Sequence, residues 1–235
     1  DEANALTVES QALRLLTYGN YYILKREPKS ANPYLKKLVV IFEANKFLYE
    51  EEPLRYIRVL NNYLNNCFLL REFEEFPRTL QKLKAQRKKS FDSAAEVFNI
   101  CHLELVYYLN TQQFDRAVKF VDEIKTGFKK YHTKVPLART LAIYYNVASL
   151  YFLIEQFNPG LRWLYKINNM EKADVRDDIR CFSRAFESVF HFELNNLKLL
   201  ESRLRSAKRF FRERREGCLL YTADAADELS CGGGG

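Results

Sequence analysis

A repeat of apolar columns, spaced 40 to 45 residues apart, constrains this chain more than any other feature. Pro28, Phe73, Phe114, Phe157 and Leu197 mark the start of every second helical segment, at separations of 45, 41, 43 and 40 residues. Three residues on lie Ala31, Phe76, Ala117, Gly160 and Leu200; seven on lie Leu35, Leu80, Val121, Leu164 and Leu204; ten on lie Leu38, Leu83, Ile124, Ile167 and Ala207. Steps of 0, 3, 7 and 10 trace one face of an α-helix. Six residues before each start come Tyr22, Cys67, Tyr108, Tyr151 and His191, and thirteen before come Leu15, Leu60, Cys101, Tyr144 and Arg184. Of these 30 positions 26 are apolar, where the 47% apolar composition gives about 14 by chance. A helical face that recurs at this interval, on segments too short to bury it alone, requires neighbouring helix pairs to stack.

Boundary residues agree with that reading. Pro53 precedes LRYIRVLNNYL and Pro136 precedes LARTLAIYYNVASLYFL, where a first helical turn tolerates a missing N–H. Asn158-Pro159 reads as a cap before GLRWLYKI, and Ser90 to Ser93 supplies polar caps before AAEVFNICHLELVYYL. No alternating strand pattern bounded by turn dipeptides occurs. The fold class expected is all-α, an α-solenoid of about five antiparallel helix pairs over residues 1–217. No run of apolar residues is long enough to span a membrane.

Residues 218–235, CLLYTADAADELSCGGGG, differ from the rest in charge and aromatic content. They resemble the translated read-through of a sequencing adapter and are set apart as a non-native or flexible tail. The chain begins at Asp1, and both natural ends are expected to lie outside it, so a signal peptide or a C-terminal anchor stays open. The tail holds three of the 30 acidic residues and none of the 37 basic ones, which leaves residues 1–217 at a formal charge of +10. Cys67, Cys101 and Cys181 are odd in number and widely spaced, a pattern that suits buried thiols in a reducing, cytoplasmic setting.

Two segments, LELVYYLNTQQFDRAVKFVDEI (103–124) and YNVASLYFLIEQFNPGLRWLYKI (145–167), resemble the tetratricopeptide repeat (TPR) family. Tyr108 and Tyr151 match its helix A aromatic, Phe114 and Phe157 its turn aromatic, and Ala117 and Gly160 its small helix B residue. Gly19 and Ala148 match the small residue that permits close helix approach. The resemblance covers residues 12 to about 210 as five pairs, with a longer period than the family's usual 34 residues and Phe76 and Leu200 in place of the small residue. It implies a right-handed superhelix whose helix A residues line a concave groove, and hence a non-catalytic scaffold that binds a protein, as an extended peptide or a partner helix.

On that alignment the groove positions are Asn20, Arg58, Asn61, Asn62, Asn65, His102, Tyr145, Asn146 and Ser149. Asparagine is a mediocre helix former, so Asn61, Asn62 and Asn65 in one helix call for an explanation. Their amides either grip the main chain of a bound peptide or hydrogen-bond between helices. Leu16, Asn61 and His102 stand where carboxylate-binding members of the family carry lysine, so capture of a C-terminal carboxylate is not expected.

Basic residues cluster late in the second helix of several pairs. They are Lys82, Lys84, Arg87, Lys88 and Lys89; Lys125, Lys129, Lys130 and Lys134; and Arg203, Arg205, Lys208, Arg209, Arg212, Arg214 and Arg215. Cations complement a helix C-terminus in any case; aligned along one edge they would form a footprint for nucleic acid such as RNA. No metal, nucleotide or nucleophile motif appears, and no cofactor is expected. His132 stands alone, His191 falls in a core column, and Glu50 to Glu52 precede a helix start, where acids are favoured. The expected reading is no enzyme.

Overall fold

The computed structural model describes residues 7–51, 53–90, 93–131, 134–170 and 175–213, so the expected tail, His132, Arg214 and Arg215 lie outside the described residues. The described residues form eleven helices and no strand: α1 (Val8–Leu24), α2 (Pro28–Ala44), α3 (Lys46–Glu51), α4 (Pro53–Leu70), α5 (Phe76–Ser90), α6 (Ala94–Asn110), α7 (Phe114–Tyr131), α8 (Leu137–Leu153), α9 (Phe157–Asn168), α10 (Asp177–Glu193) and α11 (Leu197–Glu213). The chain divides into two compact units, residues 1–113 with α1 to α6 and residues 114–235 with α7 to α11. Within each unit consecutive helices pack on one another, α1 on α2, α2 on α4, α4 on α5 and α5 on α6, then α8 on α9, α9 on α10 and α10 on α11. Sequential stacking of this kind is the solenoid architecture.

The apolar columns are the core. Ala31, Leu35, Leu38, Phe76, Leu83, Ala117, Val121, Ile124, Leu164 and Ile167 are fully buried. Leu204 departs from its column: it stays about half exposed, because no described helix packs over that part of α11.

The column six residues before each pair's second segment has a specific structural reason. Each first helix closes with the same paired turn, in which the residue after the cap takes a left-handed backbone. Arg26, Arg71, Gln112, Glu155 and Asn195 have φ between 54° and 59°. The next N–H, of Glu27, Glu72, Gln113, Gln156 and Asn196, returns to the carbonyl of Tyr22, Cys67, Tyr108, Tyr151 and His191. This satisfies terminal carbonyls that the helix leaves free. Glycine ordinarily fills such a site, and none does here. An L-residue in this region carries about 1–2 kcal/mol of strain, of which glycine's added chain entropy returns part, about 0.5–1 kcal/mol. Glu155→Gly is therefore expected to stabilise unit 2 by roughly 0.5–1 kcal/mol, read by urea unfolding on the fluorescence of the single tryptophan, Trp163. A loss of stability would show that the Glu155 side chain matters more than its backbone.

Several boundaries differ from expectation. Phe73 lies in the turn and α5 starts at Phe76, because the two-residue bend at Glu74–Glu75 delays the helix. Asn158 and Pro159 fall inside the first turn of α9, which Gln156 caps. Glu50 and Glu51 end the short helix α3, which the periodicity does not reveal. Neither Cys67 nor Cys101 is in a disulfide, and burial pushes the Cys67 thiol up to about 11. Cys181 is disulfide-bonded, so an odd cysteine count did not mean three free thiols.

Candidate functional site

In unit 1, α1 and α4 hold a cavity of about 480 Å3 between them. Two rows at helical spacing face it: Leu13, Leu16 and Asn20 from α1, and Arg55, Arg58 and Asn62 from α4, with Glu9 and Ser10 at one end. Each row steps by three and then four residues, which keeps it on one side of its helix. The leucines form an apolar floor, with Leu13 57% exposed, and the polar groups rim it. Arg55 leans over the Phe42 ring at 5.7 Å, while Arg58 is exposed. Asn62 Nδ2 donates to Asn20 Oδ1 at 3.3 Å, a long bond that a better acceptor could displace.

Three of the expected groove residues, Asn20, Arg58 and Asn62, thus line one cavity. Asn61 and Asn65 serve the scaffold instead. Asn61 is buried; its Oδ1 accepts from Asn99 Nδ2 at 2.7 Å and its Nδ2 donates to Glu96 at 3.4 Å, which ties α4 to α6. Asn65 Nδ2 donates back to the Asn61 carbonyl at 2.8 Å. A similar tie, Asn66 to Asn32 at 3.1 Å, joins α4 to α2. His102 is half-buried on α6.

In unit 2 the expected residues lie on α8. Tyr145 is half-buried against Phe186 of α10 at 5.8 Å, and its burial raises the hydroxyl pKa. Ser149 Oγ donates to the Tyr145 carbonyl at 3.0 Å, so its polarity is spent within the helix. Asn146 is half-buried. Leu13 and Arg55, absent from the sequence reading, could have been found by register: Leu13 stands fifteen residues before Pro28, as Arg58 does before Phe73.

Five residues of the basic clusters are paired with acids. Lys82 pairs with Glu43, Lys84 with Glu104 at 2.6 Å, Lys125 with Asp122 at 2.9 Å and Arg205 with Glu201 at 3.2 Å. Arg203 pairs with Glu187 at 2.9 Å. Lys130 lies over the Tyr131 ring at 4.8 Å, and Lys129 and Lys134 are exposed. Lys208, Arg209 and Arg212 are exposed on α11, with no ion pair among the described residues. Arg87, Lys88 and Lys89 fall on α5, with side chains outside the described residues.

Unit 2 also buries a polar cluster. Glu187, 3% exposed, accepts from Asn168 Nδ2 at 2.7 Å; Asn168 Oδ1 accepts from Ser183 at 2.8 Å. Arg203 Nε lies close enough to Glu187 Oε1 to pair its charge, although the angle is too bent for a hydrogen bond. His191 Nε2 is 3.3 Å from the Tyr165 hydroxyl and 3.8 Å from Glu187, beyond hydrogen-bond reach. His191 is 1% exposed, so no open cleft brings a substrate to this pair. Among the described residues no group of three His, Cys, Asp or Glu could hold a metal ion, and no helix is long and apolar enough to cross a membrane.

Burial holds the His191 pKa below its ordinary value; Arg203 adds to this and Glu187 opposes it. The folded state therefore keeps His191 neutral, while the unfolded chain takes up a proton first as pH falls through about 6.5. Stability of unit 2 is expected to be full above that pH and to decline below it. Urea midpoints read on Trp163 should fall from neutral to mildly acid pH, and His191→Gln should flatten the slope. An unchanged slope in that variant would assign the dependence to other groups.

No family model matches the sequence, and no curated protein matches it. Solved structures do. The nearly identical TPR-like repeats of a kinesin light chain-like protein from Podosopora anserina align with TM-score 0.64 and 14% identity, covering 89% of this chain and 97% of that one. A single-substitution variant of the same repeats aligns with TM-score 0.65 and 15% identity, covering 88% of this chain and 96% of that one. Likeness at such low identity establishes the fold: the chain is a TPR-like all-α repeat solenoid.

Proposed function

We propose that this chain is a non-catalytic protein-interaction scaffold, with residues 1–217 acting as one repeat array, and that the α1/α4 cavity receives an extended peptide or partner helix. The observation that carries this reading is the convergence of Asn20, Arg58 and Asn62 on an apolar floor of Leu13 and Leu16. The leucines give a bound side chain somewhere dry to rest. The amides and guanidinium offer donors to peptide carbonyls whatever the side chains of the peptide. In unit 2 Tyr145, Asn146 and Ser149 hold the corresponding helix A register on α8, and in unit 1 Asn61 and Asn65 brace α4 through bonds to Asn99, Glu96 and the Asn61 carbonyl.

The alternative, an RNA-binding edge, is less supported, since Lys82, Lys84, Lys125 and Arg205 already have acidic partners. The two readings differ in salt dependence, because phosphate contacts release counterions. A peptide selected from a display library of random linear sequences should bind the full chain with an affinity that changes little with salt. Arg58→Glu and Asn62→Leu should each weaken it by about tenfold, the scale of a central interface residue, at unchanged melting temperature. Tight single-stranded RNA binding that falls steeply with salt would favour the alternative, and peptide affinities unmoved by both substitutions would reject the cavity.

A further inference from the structure

Charge in the α1/α4 cavity is unbalanced. Both helices are the first of a pair, so they run in the same direction, and the Asn62 to Asn20 bond joins residues 42 apart. At that offset Leu16 stands across from Arg58, and Leu13 across from Arg55. Each wall is braced by described neighbours, α1 by α2 and α4 by α2 and α5. The hollow is thus a gap between two packed helices and not a face left bare at the end of the array.

Glu9 is the only acid among the lining residues, and it sits at the end of α1 away from the asparagine pair. Arg58 is exposed and has no ion pair among the described residues. Arg55, one turn before it, lies against the Phe42 ring and keeps a second guanidinium on the same wall. Two cations set against one remote carboxylate make the α4 wall attractive to an anion. The facing wall is apolar, with Leu13 57% exposed and Leu16 half-buried. Leu13 and Leu16 are about 4.5 Å apart along the axis, and side chains on one side of an extended peptide recur about every 6.7 Å. An apolar side chain on the leucines and a carboxylate at Arg58 therefore belong to positions within about two residues of each other.

Resting on the peptide-binding role of this cavity, we propose that it selects an extended segment of a partner protein in which an aspartate or glutamate stands within about two residues of an apolar side chain. The carboxylate pairs with Arg58, and the apolar side chain rests on Leu13 and Leu16. Charge complementarity chooses the acid, since a neutral or basic residue at that position leaves the guanidinium unmatched.

Random linear peptides on phage are selected in parallel on the full chain and on its Arg58→Glu variant, whose exposed position should leave the melting temperature unchanged. The full chain should enrich Asp or Glu beside an apolar residue, and the variant Lys or Arg at the same place. A fluorescein-labelled peptide from the first selection should lose about fivefold in affinity when its acid becomes glutamine; on the Arg58→Ala chain the same exchange should cost less than about twofold. Equal enrichment of acids on both chains, or a glutamine effect that survives Arg58→Ala, would overturn the proposal. So would a fluorescein-labelled polyglutamate that binds as tightly as the selected peptide, which would reduce the site to charge alone. A gain in affinity on deleting residues 1–6 would overturn it too, by making the chain's own leading segment the occupant. Peptides without an acid that still weaken with Asn62→Leu would reject the carboxylate and leave the peptide-binding role standing, whereas peptides unmoved by Asn62→Leu would reject both.

Discussion

Phe190→Ala is expected to destabilise unit 2 by about 3–5 kcal/mol, the usual scale for deleting a buried aromatic ring. Phe190 is fully buried at the point where α8, α9 and α10 meet. Its ring centre lies 4.8 Å from Phe186, 5.2 Å from Phe152 and 6.0 Å from Phe157, in edge-on arrangements that aromatic quadrupoles favour. Removing it leaves a void that rigid helices cannot close by small shifts. Trp163 is buried in the same unit, so its fluorescence during urea unfolding measures the loss. A change below about 1 kcal/mol would mean the three remaining rings repack around the gap, contrary to their close packing.

The second large effect concerns the residue under that ring. Alanine in place of glycine within a helix ordinarily gains about 1 kcal/mol, yet Gly160→Ala is expected to cost about 1–3 kcal/mol. A Cβ at position 160 would stand 2.4 Å from Phe190 Cε1, 2.7 Å from its Cζ and 3.2 Å from Tyr151 Cβ. A fully buried ring has nowhere to retreat, so α9 and α10 must separate. Gly19→Ala is the control. There the nearest atom is Leu35 Cδ2 at 2.9 Å, the end of a side chain with other rotamers, and the effect should be far smaller. Phe190→Leu combined with Gly160→Ala should cost less than the two singly, because the smaller side chain vacates the space the methyl needs. Strict additivity would place the strain elsewhere.

Packing was legible in the sequence because it recurs. Leu35, Leu80, Val121 and Leu164 share one physical task, excluding water between stacked helices, and a shared task leaves a shared residue type at a fixed interval. Tyr108 and Tyr151 were legible for the same reason, although their carbonyls' part in closing the turn was not. Left-handed residues such as Arg71 and Glu155 escaped notice, since the signal for that backbone is glycine and the chain uses none there. Leu204 broke its column because burial depends on which helix comes next, a fact outside its own segment.

The candidate site was half legible. Register identified Asn20, Arg58 and Asn62, all of which meet at the α1/α4 cavity. It could not separate them from Asn61, whose partner Asn99 lies 38 residues away on another helix. A polar side chain's role is set by what stands opposite, and periodicity reports only which way it faces. The charge clusters illustrate the same limit: Lys84 reads as part of a basic run, yet in space it meets Glu104.

Direct observation of a bound peptide tests the central claim. A crystal structure of the full chain with a library-selected peptide should show density between α1 and α4, with a side chain over Leu13 and Leu16 and main-chain oxygens within hydrogen-bond distance of Arg58 and Asn62. Peptide density wholly outside that cavity, with Asn20 and Asn62 still bonded to each other, would contradict the account.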